Sequence, residues 1–181
     1  MTGAPKGAAF LHVRSDLRDR IRPLAISHGY DPGAAAVRFR EEWDWTGTDD
    51  PTACLSIPEC LRVLGGLLPG GMEALMGRNH ALVLRGRDIV LEALDIAPPC
   101  PDSLIGSMAA LPLPAATPAS PVGRLGHDAL AAWTRERGIE SWFFPWPCPG
   151  GKLVRLSAQI YNHEEQYRAL AALLRAALHD E

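Results

Sequence analysis

An α/β protein is the expectation from this sequence, and three patterns lead to it. First, Leu75-Met76, Leu82-Val83 and Ile89-Val90 recur at seven-residue spacing, which marks one apolar face of a long helix over 72–94. Second, Leu153 to Tyr161 alternates, with Val154, Leu156, Ala158 and Ile160 on one face of a strand. Third, the stretch from Ser107 onward reads strand, helix, strand, strand, helix, a small two-layer unit.

Before the long helix the signals are shorter. Ala8 to Val13 reads as a strand after a Pro5-Lys6-Gly7 turn. Pro23 interrupts a mixed segment from Leu17 to Ile26, and Ser27-His28-Gly29 follows as a loop. Tyr30 to Ala36 is Gly/Ala-rich, and Phe39 to Trp45 is aromatic and acidic. Asp50-Pro51 suits a helix start, and Pro58 should split this region into two short helices, with Leu61, Leu64 and Leu68 as the second apolar stripe. Pro69-Gly70-Gly71 is a break.

After the long helix, Ala97 to Pro101 is a stiff connector and Ser107 to Leu113 a strand. A loop covers Pro114 to Pro121, and a helix over Gly126 to Arg137 ends at Gly138. Glu140 to Trp146 is a further strand. Asn162 with Glu165 three residues later resembles a capping box. It opens a helix that buries Tyr167, Leu170, Leu174 and Leu178.

Apolar residues make up 47% of the 181 and charged residues 22%, with a formal charge of -3. That balance reads as a soluble globular chain. No basic stripe or polybasic tail points to nucleic acid or a membrane surface. Met1 to Lys6 carries no apolar signal core, and no apolar run approaches the roughly 20 residues that span a bilayer. Cys54, Cys60, Cys100 and Cys148 form no Cys-x-x-Cys pair and no zinc spacing with histidine, so no metal is expected. Scattered thiols without a secretory leader fit a cytoplasmic location.

Four places carry candidate chemistry. Arg155 shares the polar strand face with Ser157 and Gln159; a fixed guanidinium there suits a carboxylate, or is a solvent-facing strand arginine. Thr46-Gly47-Thr48 precedes a helix start, where backbone amides and hydroxyls suit phosphate, or is a plain capping loop. His28 is a candidate acid–base group or a turn histidine. Lys6 sits in a turn, where a surface role is the expectation.

Taken in order, these pieces resemble one family. Gly3-Ala4-Pro5-Lys6-Gly7-Ala8-Ala9-Phe10-Leu11 is similar to the turn and strand that follow the cofactor lysine in class V aminotransferases, which are pyridoxal-phosphate (PLP) enzymes of fold type I. Ile26-Ser27-His28-Gly29, Phe39, and Trp43 through Pro51 resemble the isopenicillin-N epimerase-like branch. Arg155-Leu156-Ser157-Ala158-Gln159-Ile160-Tyr161-Asn162, followed by Glu165, resembles the family's C-terminal signature.

The resemblance implies the C-terminal part of such an enzyme. Residues 1–71 would end the large PLP-binding domain, 72–96 would form a long linking helix, and 97–181 a small α/β domain with a short antiparallel sheet. Arg155 would bind the α-carboxylate of an amino-acid substrate. Gly47 and Thr48 would reach the phosphate of pyridoxal 5'-phosphate, usually across the interface of a homodimer. Tyr161 and Asn162 would close the strand and start the final helix.

The chain departs from the family in its lysines. It has two, Lys6 and Lys152. Lys6 matches the family's turn lysine and Lys152 precedes the arginine strand, so neither matches the Schiff-base lysine, which would lie before Met1. The expectation is therefore a truncated chain, inactive alone, from an enzyme that epimerises, transaminates or cleaves at the α-carbon. A desulfurase is disfavoured, because Cys148 is held between Pro147 and Pro149 close to the arginine strand. The alternatives are a non-catalytic dimerisation or regulatory fragment, with the long helix as its partner surface, and a generic α/β ligand-binding domain.

Overall fold

Short loops and proline breaks divide this chain into seven helices and one three-stranded antiparallel sheet among the described residues. The computed structural model describes residues 3–30, 35–45, 47–146 and 151–179, without the side chains of 28 and 35–37. The chain divides into two compact units, Met1–Gly66 and Leu67–Glu181.

In the first unit, the segment expected as a strand, Ala8 to Val13, is not one, and Phe10 is 88% exposed. A strand needs a neighbour to complete its ladder, and no described residue pairs with it. Short 3-10 helices form at Ser15–Arg20 and His28–Tyr30. The aromatic and acidic stretch is helix α1 (Ala35–Asp44), with the Phe39 and Trp43 rings 6.1 Å apart. Glu42 on α1 is buried and accepts a 2.6 Å hydrogen bond from Arg38 Nε, with Arg22 Nη1 3.9 Å away. Gly29 lies so close to the α1 backbone that a Cβ would collide with the Glu41 carbonyl group.

The proline expectation holds in this unit. The Asp50 carboxylate accepts the Thr52 backbone N–H at 3.0 Å and caps α2 (Thr52–Leu55). Pro58 stands in the first turn of α3 (Ile57–Gly65), where its missing N–H costs nothing.

The second unit is built on α4 (Gly71–Leu94), which buries Leu75, Leu82, Val83, Val90, Leu91 and Leu94. Met76, however, is 65% exposed and Ile89 half-buried. A straight helix drifts by about 20° per heptad, so paired apolar residues cannot all stay on one seam. Arg87, although charged, is 4% exposed. Its Nη1 lies 2.7 Å from Asp102 Oδ1 and its Nη2 2.8 Å from Asp88 Oδ1. Burial alone would favour loss of its proton, but the two carboxylates outweigh that and raise its pKa.

The sheet follows α4. Its strands are β1 (Met108–Pro112), β2 (Trp142–Pro145) and β3 (Lys152–Ser157), in the order β1-β3-β2, all antiparallel. Ala109, Leu111, Phe143, Val154 and Leu156 point into the core against α4 and α7 (Glu164–His179). The expected loop at 114–121 ends in a short helix, α5 (Pro121–Arg124), capped by Ser120 Oγ accepting from Gly123 N–H at 3.1 Å. Helix α6 (His127–Arg135) stops at Gly138, φ +80°, with the Gly138 amide on Arg135 and the Ile139 amide on Thr134. That pair of bonds is a Schellman end, which glycine makes at least strain.

The capping box is displaced by one residue. Gln166 Oε1 accepts the His163 backbone N–H at 3.2 Å, and the helix begins at Glu164. Asn162 instead accepts the Gln159 backbone N–H at 2.9 Å and closes the turn before it. No described helix is long and apolar enough to cross a membrane.

The contact between α4 and α7 is close because of Gly86. A Cβ there would sit 2.6 Å from Cγ of the buried Tyr167 ring. Gly86→Ala should therefore destabilise the protein by about 1–3 kcal/mol through overpacking, read as a lower thermal midpoint. An unchanged midpoint would show that the two helices can separate freely at this point.

Candidate functional site

The central strand β3 places Arg155. Val154 and Leu156 are locked into the core, so the arginine between them must face the other way. On that open face its cross-strand partners are Ala110 on β1 and Trp142 on β2. Phe144 is the diagonal neighbour, through its pairing with Leu153. The guanidinium carbon lies 5.6 Å from the centre of the Phe144 ring. Arg155 Nε is buried and has no hydrogen-bond partner among the described residues.

Arg155 also lines a cleft of about 590 Å³, bounded by Glu140, Ser141 and Trp142 on one side and Tyr161 and Gln166 on the other. That volume is in the range of small-molecule sites. Ser141 Oγ, on the cleft wall, is likewise buried without a described partner. The arrangement offers donors and aromatic surface, a chemistry suited to an anion carried on an organic frame.

The C-terminal end of β3 is tied down twice. The Tyr167 hydroxyl donates to the Ser157 carbonyl at 2.7 Å, two residues beyond Arg155. Arg78 on α4 donates from Nη1 to the Gln159 carbonyl at 3.1 Å and from Nη2 to the Asn162 carbonyl at 3.0 Å. Buried Asn79 donates from Nδ2 to Gln159 Oε1 at 2.9 Å. Strand alternation was expected to run to Tyr161, but β3 stops at Ser157 because Gln159 and Asn162 bond each other across a turn. Sequence reading passed over Arg78 and Asn79. Asn79 falls in phase with Leu75, Leu82 and Gly86, and a polar residue on a buried stripe is a signal for such an anchor.

The other candidates lie in the first unit. Gly47 has φ +127°, a backbone conformation that glycine alone adopts freely, and Thr48 is exposed. Asp50 accepts hydrogen bonds from the Thr52 amide and hydroxyl, and these lower its carboxyl pKa. Its carboxylate therefore turns back onto α2 rather than out of the loop. Thr46, Cys148 and the side chain of His28 lie outside the described residues; the His28 backbone opens a 3-10 turn. Lys6 is exposed in its turn. Lys152 begins β3 on the opposite face from Arg155.

No family model matches this sequence. It is similar to curated proteins, however, along nearly its whole length. It is 32% identical to a putative L-cysteine desulfhydrase 1 of Oryza sativa subsp. japonica, over 92% of this chain and 36% of that protein. It is 30% identical to the isopenicillin N epimerase of Streptomyces clavuligerus, over 96% of this chain and 44% of that protein. It is 27% identical to a probable chloroplastic L-cysteine desulfhydrase of Arabidopsis thaliana, over 98% of this chain and 38% of that protein.

Its homologues are class V aminotransferase-like PLP enzymes. The chain spans about two fifths of the length of the curated relatives it matches, between 36% and 44%. The class V resemblance read from the residues and these relatives agree.

Burial raises the pKa of the Tyr167 hydroxyl that holds β3. Its contribution to stability is therefore complete below the ordinary tyrosine value and is lost as pH rises through the raised one. Tyr167→Phe should cost about 1 kcal/mol at neutral pH. It should also remove this residue's share of the alkaline loss, measured by denaturant titration at neutral and alkaline pH. An identical alkaline loss in the variant would place that titration elsewhere.

Proposed function

We propose that these residues form the C-terminal portion of a PLP-dependent, fold-type-I enzyme that acts at the α-carbon of an amino acid. One observation carries the reading: Arg155 stands on a rigid central strand at the rim of a cleft, its buried Nε without a partner among the described residues. In a chain related to amino-acid enzymes, that is a place for the substrate's α-carboxylate. The first unit would complete the large domain with Gly47 and Thr48 near the cofactor phosphate. Helix α4 would be the link and the sheet unit the small domain. The complete enzyme would be a homodimer, and His28 stays a candidate acid–base residue.

The cofactor, when bound, supplies an electron sink for bonds broken at the α-carbon. The chain's residues fit its surroundings in part. Arg155 would hold and orient the carboxylate, and Gly47 with Thr48 would offer an amide and a hydroxyl to the phosphate. Neither lysine fits the amine that carries the cofactor. Lys6 belongs to an exposed turn, and the Lys152 side chain is on the wrong face of β3 to meet a substrate held at Arg155. That amine would come from polypeptide outside these residues, and the 181 residues alone would be inactive. The names of the relatives favour epimerisation or carbon–sulfur cleavage over amino transfer, and each of the three would use the same carboxylate handle.

Two measurements test this. Propionate, a carboxylate without an amine, should bind the chain saturably, and Arg155→Gln should weaken that binding about tenfold or more while leaving the circular dichroism unchanged. Absence of propionate binding to the wild-type chain removes Arg155 from the role. After incubation with PLP and borohydride, mass spectrometry should find no stoichiometric adduct on one lysine. Full modification of Lys152 would overturn the claim that the amine comes from elsewhere.

A further inference from the structure

The environment of Arg155 contains a second residue whose role the proposed function leaves unused. An arginine that is to bind an anion cannot be neutralised beforehand, yet an unpaired guanidinium on a long side chain is mobile. Two other enclosed arginines among the described residues have acceptors beside them. Arg87 has Asp88 and Asp102, and Arg78 has the carbonyls of Gln159 and Asn162. At Arg155 the neighbour within reach is an aromatic ring, that of Phe144, with the guanidinium carbon 5.6 Å from its centre.

A ring face attracts the cation without consuming a hydrogen-bond donor. Its place is also specific. Trp142, directly across from Arg155, lines the cleft, whereas Phe144 does not. Phe144 therefore faces the guanidinium without forming part of the cleft wall. Its backbone is held by β2, and the adjacent Phe143 is 2% exposed in the core, so the strand that carries the ring cannot shift freely.

We propose that Phe144 is a positioning residue for Arg155, holding the guanidinium toward the cleft by a cation–π contact while leaving its N–H donors free for a carboxylate. This rests on Arg155 being the carboxylate-binding residue. The contact makes Arg155 ready before the ligand arrives, so that less freedom is lost on binding.

The test uses the whole chain and NMR of the Arg155 Nε–H group, assigned by its loss in Arg155→Lys. Without ligand, Phe144→Leu should speed exchange of that proton with water, because a leucine fills space but offers no ring face. With propionate as the probe, Phe144→Leu should weaken binding about two- to fivefold, as expected for a partly exposed cation–π contact. Phe144→Tyr should restore both properties, which a purely space-filling role does not require. The exchange readout is independent of ligand, so it decides the positioning role even if propionate fails to bind and the carboxylate reading falls. Unchanged exchange and unchanged affinity in Phe144→Leu would overturn the proposal while leaving Arg155 as a carboxylate site. Failure of Phe144→Tyr to rescue would assign the residue to packing alone and overturn it as well.

Discussion

The sheet unit is organised around the ring of Tyr167. It lies against the bare backbone of Gly86, so α4 and α7 approach each other at a distance no side chain at position 86 would permit. From there its hydroxyl reaches the Ser157 carbonyl, at the end of the central strand. One residue thus joins three elements through two kinds of force, close packing and a buried hydrogen bond. Both are expensive to lose, because the interior has neither spare volume nor water to replace a missing partner.

That anchoring explains how a three-stranded sheet with one face uncovered among the described residues can hold the Arg155 side chain steadily. Val154 and Leu156 fix the orientation of β3 from below, Tyr167 fixes its end, and Arg78 with Asn79 fix the turn beyond. Arg155 is carried between these constraints. The contrast with Arg87 is instructive. Arg87 is buried with Asp88 bonded to its Nε and Nη2 and Asp102 at ion-pair distance from Nη1, a structural charge, although Nη1 itself makes no aligned hydrogen bond among the described residues. Arg155 has the Phe144 ring beside it and keeps its buried Nε without a partner among the described residues. Buried donors without partners are uncommon in folded proteins, and this one stands at the rim of a cleft.

Periodicity alone made much of this arrangement legible. The long helix, the inward face of β3 and the last helix follow from apolar spacing, since burying those stripes leaves few other folds. The breaks at Pro58 and Gly138 follow from backbone sterics local to those residues. The outward direction of Arg155 follows from alternation, because Val154 and Leu156 had to face the core. The order of recognisable segments also pointed to class V aminotransferase-like proteins, with which the relatives agree.

Other features depend on residues distant in sequence, and no local pattern contains them. Ala8 to Val13 has strand-like residues but no described ladder partner, so it is not a strand. Asn79 reads as a polar interruption of a helix face, and Arg87 as a charge off that face, until Gln159 and Asp102 are brought alongside. The glycine at 86 has no evident purpose until an aromatic ring from eighty-one positions later fills the space above it. The lack of a described partner for Arg155 Nε belongs to the same class: sequence can place a guanidinium on a face, but only packing determines which acceptors are within its reach.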